Sequence, residues 1–252
     1  MRIVVIGGTG LVGSQLVDCL TDHGHDAVAA SPRTGVNTVT GVGLSEVLTG
    51  ASVVVDVSNS PSFDDAAAMV FFTRSTTNLL AAETDAGVAH HVALSVVGTD
   101  QLAEQSGYFK AKLAQERLVA AGPVPHSILR ATQFFEFVAT IADAATVAGT
   151  VRLPSALIQP MAAADVALAT AAVALGDPIE GIHEVGGPQQ FRLPELIRTA
   201  LTAHNDPRTV ITDPTASYWG VDIEERTLVP SEAAPRSETQ FADWLLADAA
   251  SN

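Results

Sequence analysis

Cysteine is almost absent from this chain of 252 residues: Cys19 stands alone, so no intrachain disulfide can form. It falls in a predicted helix with no cation beside it, which reads as a small core residue rather than a reactive thiol. Cations are scarce as well, 13 Lys and Arg against 28 Asp and Glu for a net charge of −15, and nowhere clustered. Such a surface repels phosphate backbones, so a nucleic-acid-binding role is not expected. No apolar run approaches the roughly 18 residues of a membrane span, and Ile3 to Ile6 is too short for a signal-peptide core. The expectation is a soluble cytoplasmic protein with no membrane partner. Metal-site patterns are missing too. His90 and His91 would point to opposite faces of a strand, and His23 and His25 bracket Gly24 at a helix end.

What is present is an alternation. Short apolar runs at Ile3–Ile6, Ala27–Ala30, Val53–Val57, Val92–Ser95 and Ser127–Arg130 predict strands covered on both faces. Helices are predicted between them at Leu11–His23, Phe63–Ala86 and Gly107–Ala121, with a further strand at Val36–Val39 and a brief helix at Leu44–Leu48. This is the pattern of an α/β, Rossmann-type doubly wound parallel sheet. After Arg130 the rhythm loosens. Helices are predicted at Phe134–Val147, Asp165–Leu175, Leu193–His204 and Phe241–Asp248, and short strands at Gly149–Leu153, Ile182–Val185 and Thr209–Thr212. Residues 1–135 are therefore read as the core. Residues 136–252 are read as a small C-terminal substrate-binding elaboration integrated in the same domain. Tyr218 and Trp219, in a tail with Pro207, Pro214, Pro230 and Pro235, are read as packing, with a substrate cap as the alternative.

Gly7-Gly8-Thr9-Gly10-Leu11-Val12-Gly13 follows the first strand and opens a helix. In that context Gly7 permits the tight turn, Gly10 the approach of a pyrophosphate, and Gly13 close helix–sheet packing. The helix start offers unpaired N–H groups to the phosphates. Gly7, Thr9, Gly10, Leu11, Val12 and Gly13 are thus expected to cradle a dinucleotide. An acid at the end of the second strand would select NAD; here the chain runs Ala30-Ser31-Pro32-Arg33. Ser31 and Arg33 suit a 2′-phosphate, so NADP is expected over NAD.

Among only two tyrosines and two lysines, Tyr108 and Lys112 lie four apart on a predicted helix and share a face. A phenol of ordinary pKa near 10 needs help to exchange protons at neutral pH. A neighbouring ammonium would lower it, and Lys112 would also reach the nicotinamide ribose. Ser95, at a strand's carboxyl end, is placed to polarise a substrate carbonyl. Ser95, Tyr108 and Lys112 are the candidate catalytic residues.

The glycine turn, the Ser95/Tyr108/Lys112 set and the helix segment Asn78-Leu79-Leu80-Ala81-Ala82 resemble the short-chain dehydrogenase/reductase superfamily. Within it, the chain is similar to the atypical NmrA-like branch, with quinone and isoflavone reductase relatives. Arg130-Ala131-Thr132-Gln133-Phe134 resembles the family's segment near the nicotinamide, and Pro160-Met161-Ala162-Ala163-Ala164-Asp165-Val166-Ala167 its later helix. The resemblance implies that Ser58, Asn59 and Thr132 also contact the cofactor.

The expected activity is hydride transfer between NADP(H) and a small carbonyl or quinone-like substrate. Two alternatives stand beside it: a non-catalytic NADP(H)-sensing regulatory protein, and a nucleotide-sugar epimerase or dehydratase. The roughly 115 residues after Phe137 are short, and poor in cations, for holding a nucleotide diphosphate. A homodimer is compatible with this architecture, since such domains pair through helices that look like any other.

Overall fold

The computed structural model describes residues 1–251, with side-chain surroundings to residue 248. In chain order the elements are β1 (Arg2–Ile6), α1 (Leu11–Asp22), β2 (Asp26–Ala30), α2 (Leu44–Val47), β3 (Val53–Asp56), α3 (Asp65–Ala86), β4 (His90–Val96), α4 (Thr99–Leu102), α5 (Gly107–Ala121) and β5 (His126–Ala131). There follow α6 (Val138–Ala144), β6 (Thr146–Val147), β7 (Thr150–Leu153), β8 (Leu157–Ile158), α7 (Ala163–Leu175), β9 (Gly181–Val185), β10 (Phe191–Arg192), α8 (Leu193–Ala203), β11 (Thr209–Thr212) and α9 (Phe241–Ser251).

Contacts divide the chain into two compact units: Met1–Arg130 with Val166–His183, and Ala131–Asp165 with Glu184–Asn252. The first break thus falls five residues before the expected boundary at 135. Residues 166–183, expected in the C-terminal region, group with the core instead.

The first unit is built on a six-stranded sheet in the order β2-β1-β3-β4-β5-β9, with β1 parallel to both β2 and β3 and β3 parallel to β4. Strand order reverses at β1, whose neighbours leave in opposite directions, and the crevice between the carboxyl ends of β1 and β3 is where such sheets take ligands. Val4, Ile6, Val54, Leu44, Leu48 and Leu79 pack one buried cluster against this part of the sheet. Helix α3 starts on Asp64, whose side chain accepts from the Ala67 N–H, and stops at Gly87, which takes the left-handed φ of 71°. Helix α5 starts on Ser106, which accepts from the Phe109 N–H, and spans the predicted residues.

Val36–Val39 does not form the expected strand. Asn37 makes only an isolated bridge to Val42, and the Asn78 amide donates to the carbonyls of Thr38 and Val39 at 2.8 and 3.0 Å. With those acceptors taken by a helix side chain, the segment turns back and leaves β2 at the sheet edge.

The second unit holds a three-stranded sheet, β11-β7-β6, and the two-stranded pair β10-β8. The single helix expected over Phe134–Val147 is broken. Phe134 bridges Met161, residues 135–137 form one 3-10 turn, α6 ends at Ala144, and β6 turns into antiparallel β7. Ala148 and Gly149, with φ of 49° and 79°, make the tight two-residue connection. Phe135 is buried among Phe241 and Trp244, as packing rather than chemistry requires.

Candidate functional site

The glycine turn leaves β1 hard against the loop that leaves β3. A β-carbon on Gly7 would lie 2.9 Å from the Ser58 α-carbon, and one on Gly13 would collide with the Gly7 carbonyl oxygen. Both positions therefore require glycine: one for the loop–loop approach, the other to bring α1 down onto the turn. Gly10 caps α1 without a side-chain hydrogen bond, and the first turn carries no acid, so this helix start is left open to an anion. The Ser58 hydroxyl is buried and has no protein partner. These residues fit a dinucleotide: a side-chain-free cradle, uncapped N–H groups and a buried hydroxyl without a partner.

Ser31 follows β2 and is tied to the same turn, accepting from the Thr9 hydroxyl at 3.0 Å and from the Arg33 N–H at 3.2 Å. Arg33 is exposed on the short 3-10 turn that Ser31 caps. Its guanidinium has no acidic partner among the described residues.

One residue past Ser58, the side-chain oxygen of Asn59 accepts a hydrogen bond from the Tyr108 hydroxyl at 3.0 Å. Gly107 makes this approach possible, because a β-carbon there would collide with Asp65 at the start of α3. The phenol ring is wrapped by Phe63, Phe72 and Phe109, with centroids 5.5 to 5.8 Å away. Burial in this apolar collar pushes the Tyr108 phenol up to about 12, against the smaller opposing effect of Asn59.

Lys112 lies on the same face of α5 but deeper. Its ammonium stands 4.7 Å from the centre of the Phe72 ring and donates to the Leu94 carbonyl at 2.8 Å and to Gln115 Oε1 at 2.5 Å. Gln115 Nε2 in turn donates to Asp56 Oδ2 at 3.0 Å, while Asp56 Oδ1 accepts from the Ser58 N–H at 2.9 Å. Burial lowers Lys112 to about 8, opposed by Asp56 and Glu116. Ser95 is also buried, and its hydroxyl donates to Glu116 Oε1 at 2.5 Å. Glu116 accepts twice from Arg130, at 3.0 and 2.7 Å, and Arg130 continues to Asp100 at 2.9 Å.

The structure thus brings Tyr108 to Asn59, Lys112 to Gln115, and Ser95 to Glu116, but hydrogen-bonds none of Ser95, Tyr108 and Lys112 to another. The expectation that Lys112 lowers the phenol's pKa is not met. The ammonium is engaged by the Leu94 carbonyl and Gln115, and desolvation dominates at Tyr108. Thr132 belongs to the second unit, where its hydroxyl is buried without a partner. Cys19, expected in the core, is half-buried on α1, where burial and then Asp22 raise its thiol. His90 and His91 do face opposite ways: His90 meets Ser127 at 2.8 Å, and His91 meets Glu83 at 2.8 Å. No group of three metal-ligating side chains occurs among the described residues, and no described helix is long and apolar enough to cross a membrane.

Sequence reasoning passed over Asp56, Gln115 and Glu116. The available signal was polar residues where a buried element should be apolar. Asp56 ends the run Val53-Val54-Val55, and Arg130 ends Ile128-Leu129. A charge closing an apolar strand in a parallel sheet faces the ligand crevice or a buried partner.

Residues 3–123 match the model of the NAD dependent epimerase/dehydratase family. No curated protein sequence matches the chain. Among solved structures it is similar to MoeE5 in complex with UDP-glucose and NAD, with a TM-score of 0.74, 18% identity, and 99% of this chain and 98% of that one covered. It is also similar to DesIV, a dTDP-glucose 4,6-dehydratase from Streptomyces venezuelae with NAD and TYD bound (TM-score 0.73, 19% identity, 99% and 96% covered). A third is dTDP-4-dehydrorhamnose reductase from Bacillus anthracis in complex with NADP (TM-score 0.70, 14% identity, 94% and 90% covered). At these identities the likeness is one of fold.

Proposed function

We propose that the chain, whose residues 3–123 match the NAD dependent epimerase/dehydratase family model, is an NAD(P)-dependent enzyme of the short-chain dehydrogenase/reductase superfamily. It is an NADP(H)-dependent oxidoreductase that transfers a hydride between nicotinamide and a small carbonyl or quinone-like substrate. One observation carries this reading: the contact of Gly7 with Ser58, followed by the hydrogen bond of Asn59 with Tyr108, is an unbroken path from the dinucleotide cradle to a phenolic proton donor.

The cofactor, when bound, supplies or accepts the hydride. The chain's own residues do the rest. Gly7, Thr9, Gly10, Leu11, Val12 and Gly13 would hold the pyrophosphate, Ser58 and Asn59 would line the nicotinamide side, and Ser31 and Arg33 would select the 2′-phosphate. Lys112 would hold the ribose. Tyr108, protonated throughout the neutral range, turns its hydroxyl from Asn59 to the substrate oxygen and gives up its proton there. Ser95 joins by swinging its hydroxyl from Glu116 to the same oxygen. The segments at 130–134 and 160–167 support a place in the NmrA-like branch.

A nucleotide-sugar substrate is the second reading, favoured by the family match and by the ligands named for MoeE5 and DesIV. Against it, three of the six arginines of the second unit, Arg152, Arg192 and Arg208, are already paired with acids. NADPH consumption with panels of carbonyls, quinones and UDP- or dTDP-sugars, in wild type and Tyr108→Phe, separates the two. The expected result is turnover of a small carbonyl or quinone that falls about 10²–10⁴-fold in Tyr108→Phe with NADPH binding retained. Turnover of nucleotide sugars alone would overturn the substrate class. Equal turnover in the variant would overturn the role of Tyr108.

A further inference from the structure

We propose that Gln115 is a positioning residue, its amide oriented by Asp56 so that it fixes the Lys112 ammonium where the cofactor needs it. The inference rests on the reading that Lys112 meets the nicotinamide ribose. Its geometry is that of a relay with a single possible sense. Asp56 is an acceptor, so the amide must turn its Nε2 toward Oδ2, at 3.0 Å. That leaves Oε1 facing Lys112, at 2.5 Å, where an ammonium can only donate. The other Asp56 oxygen holds the Ser58 N–H at the start of the loop beside the glycine turn. One carboxylate therefore sets both the loop and, through Gln115, the lysine.

The surroundings explain why the relay is needed. Lys112 is buried and meets the Phe72 ring from α3 and the Leu94 carbonyl from β4. The charged groups that bear on it are Asp56 from β3 and Glu116 from α5 itself. Glu116 is committed to Arg130 and Ser95, and the Asp56 carboxylate reaches Lys112 through the amide. Without Gln115 the ammonium keeps one carbonyl and one ring face, too little to hold a buried charge.

The chain contains two lysines, Lys110 and Lys112, so lysine labelled with carbon-13 at Cε gives two NMR signals, and the exposed Lys110 serves as the internal control. The titration of Lys112 is followed in the cofactor-free protein, and NADPH affinity is measured separately. Gln115→Leu should lower the Lys112 midpoint by about one pH unit or more and weaken NADPH about tenfold. The isosteric Gln115→Glu should raise the midpoint, and it decides the matter alone if the leucine variant fails to fold. Titrations that coincide with wild type in whichever variants fold would overturn the relay. Midpoints that move in these two directions with NADPH affinity unchanged would uphold the relay and overturn the assignment of Lys112 to the cofactor.

Discussion

One arginine–glutamate pair in each unit shows two ways of handling charge. In the first, Glu116 and Arg130 are 4% and 8% exposed, and each oxygen and nitrogen between them has a designated partner. In the second, Arg192 and Glu225 form an ion pair as short, 2.6 Å, but are 42% and 57% exposed. A buried pair is expensive to leave half-made, whereas an exposed one is screened and easily replaced by water. The first pair is thus fixed by mutual dependence. The second pair stays at the surface, where it can change without disturbing the fold, although the same unit buries Asp165, which accepts twice from Thr239.

The largest effect should come from cutting the buried pair. Glu116→Ala removes the buried carboxylate that accepts twice from Arg130 and should cost about 3–5 kcal/mol of stability, read as a fall in the urea midpoint. A loss below about 1 kcal/mol would erase the contrast between the pairs. Next, Arg33→Ala removes an exposed cation with no acid to satisfy. It should weaken NADPH by about tenfold or more, leave NADH binding unchanged, and scarcely move the melting temperature. Equal losses for both cofactors would end the assignment of NADP.

A pH series sharpens the same comparison. Lys112 sits at about 8 in the folded chain, below the roughly 10.4 of a free lysine, so between these values the unfolded chain holds the extra proton. Stability contributed by this group should therefore rise with pH across that window, while NADPH affinity falls as the ammonium is lost. Both trends should vanish in Lys112→Met, and parallel trends would contradict the buried setting of Lys112. Smallest of all, Arg192→Ala in the second unit should change stability by less than about 1 kcal/mol.

Much of the first unit was legible in the residues. The glycine turn announced itself by spacing, and α5 begins and ends where its cap signals place it, with Ser106 before and Gly122 after. Tyr108 could be singled out because tyrosine is so rare here. The Gln115–Lys112 contact could not, since a polar residue in a helix reads as solvated until α3 is seen packed along it. Nor could Val36–Val39 be recognised as a non-strand, because the side chain that takes its carbonyls, Asn78, lies about forty residues downstream. The break in Phe134–Val147 is of the same kind. Its helical composition yields to a pairing with Met161 that no local window contains.

Asp56 has a consequence for anyone who would redesign this protein. Arg33 stands apart from its neighbours, and a change of cofactor preference made there would disturb little else. Asp56 allows no such freedom, because one oxygen anchors a loop and the other aligns a lysine through an amide. Alterations at that carboxylate would be inherited by cofactor and chemistry together, so selection for a new cofactor should accumulate at the rim of the crevice and spare its floor.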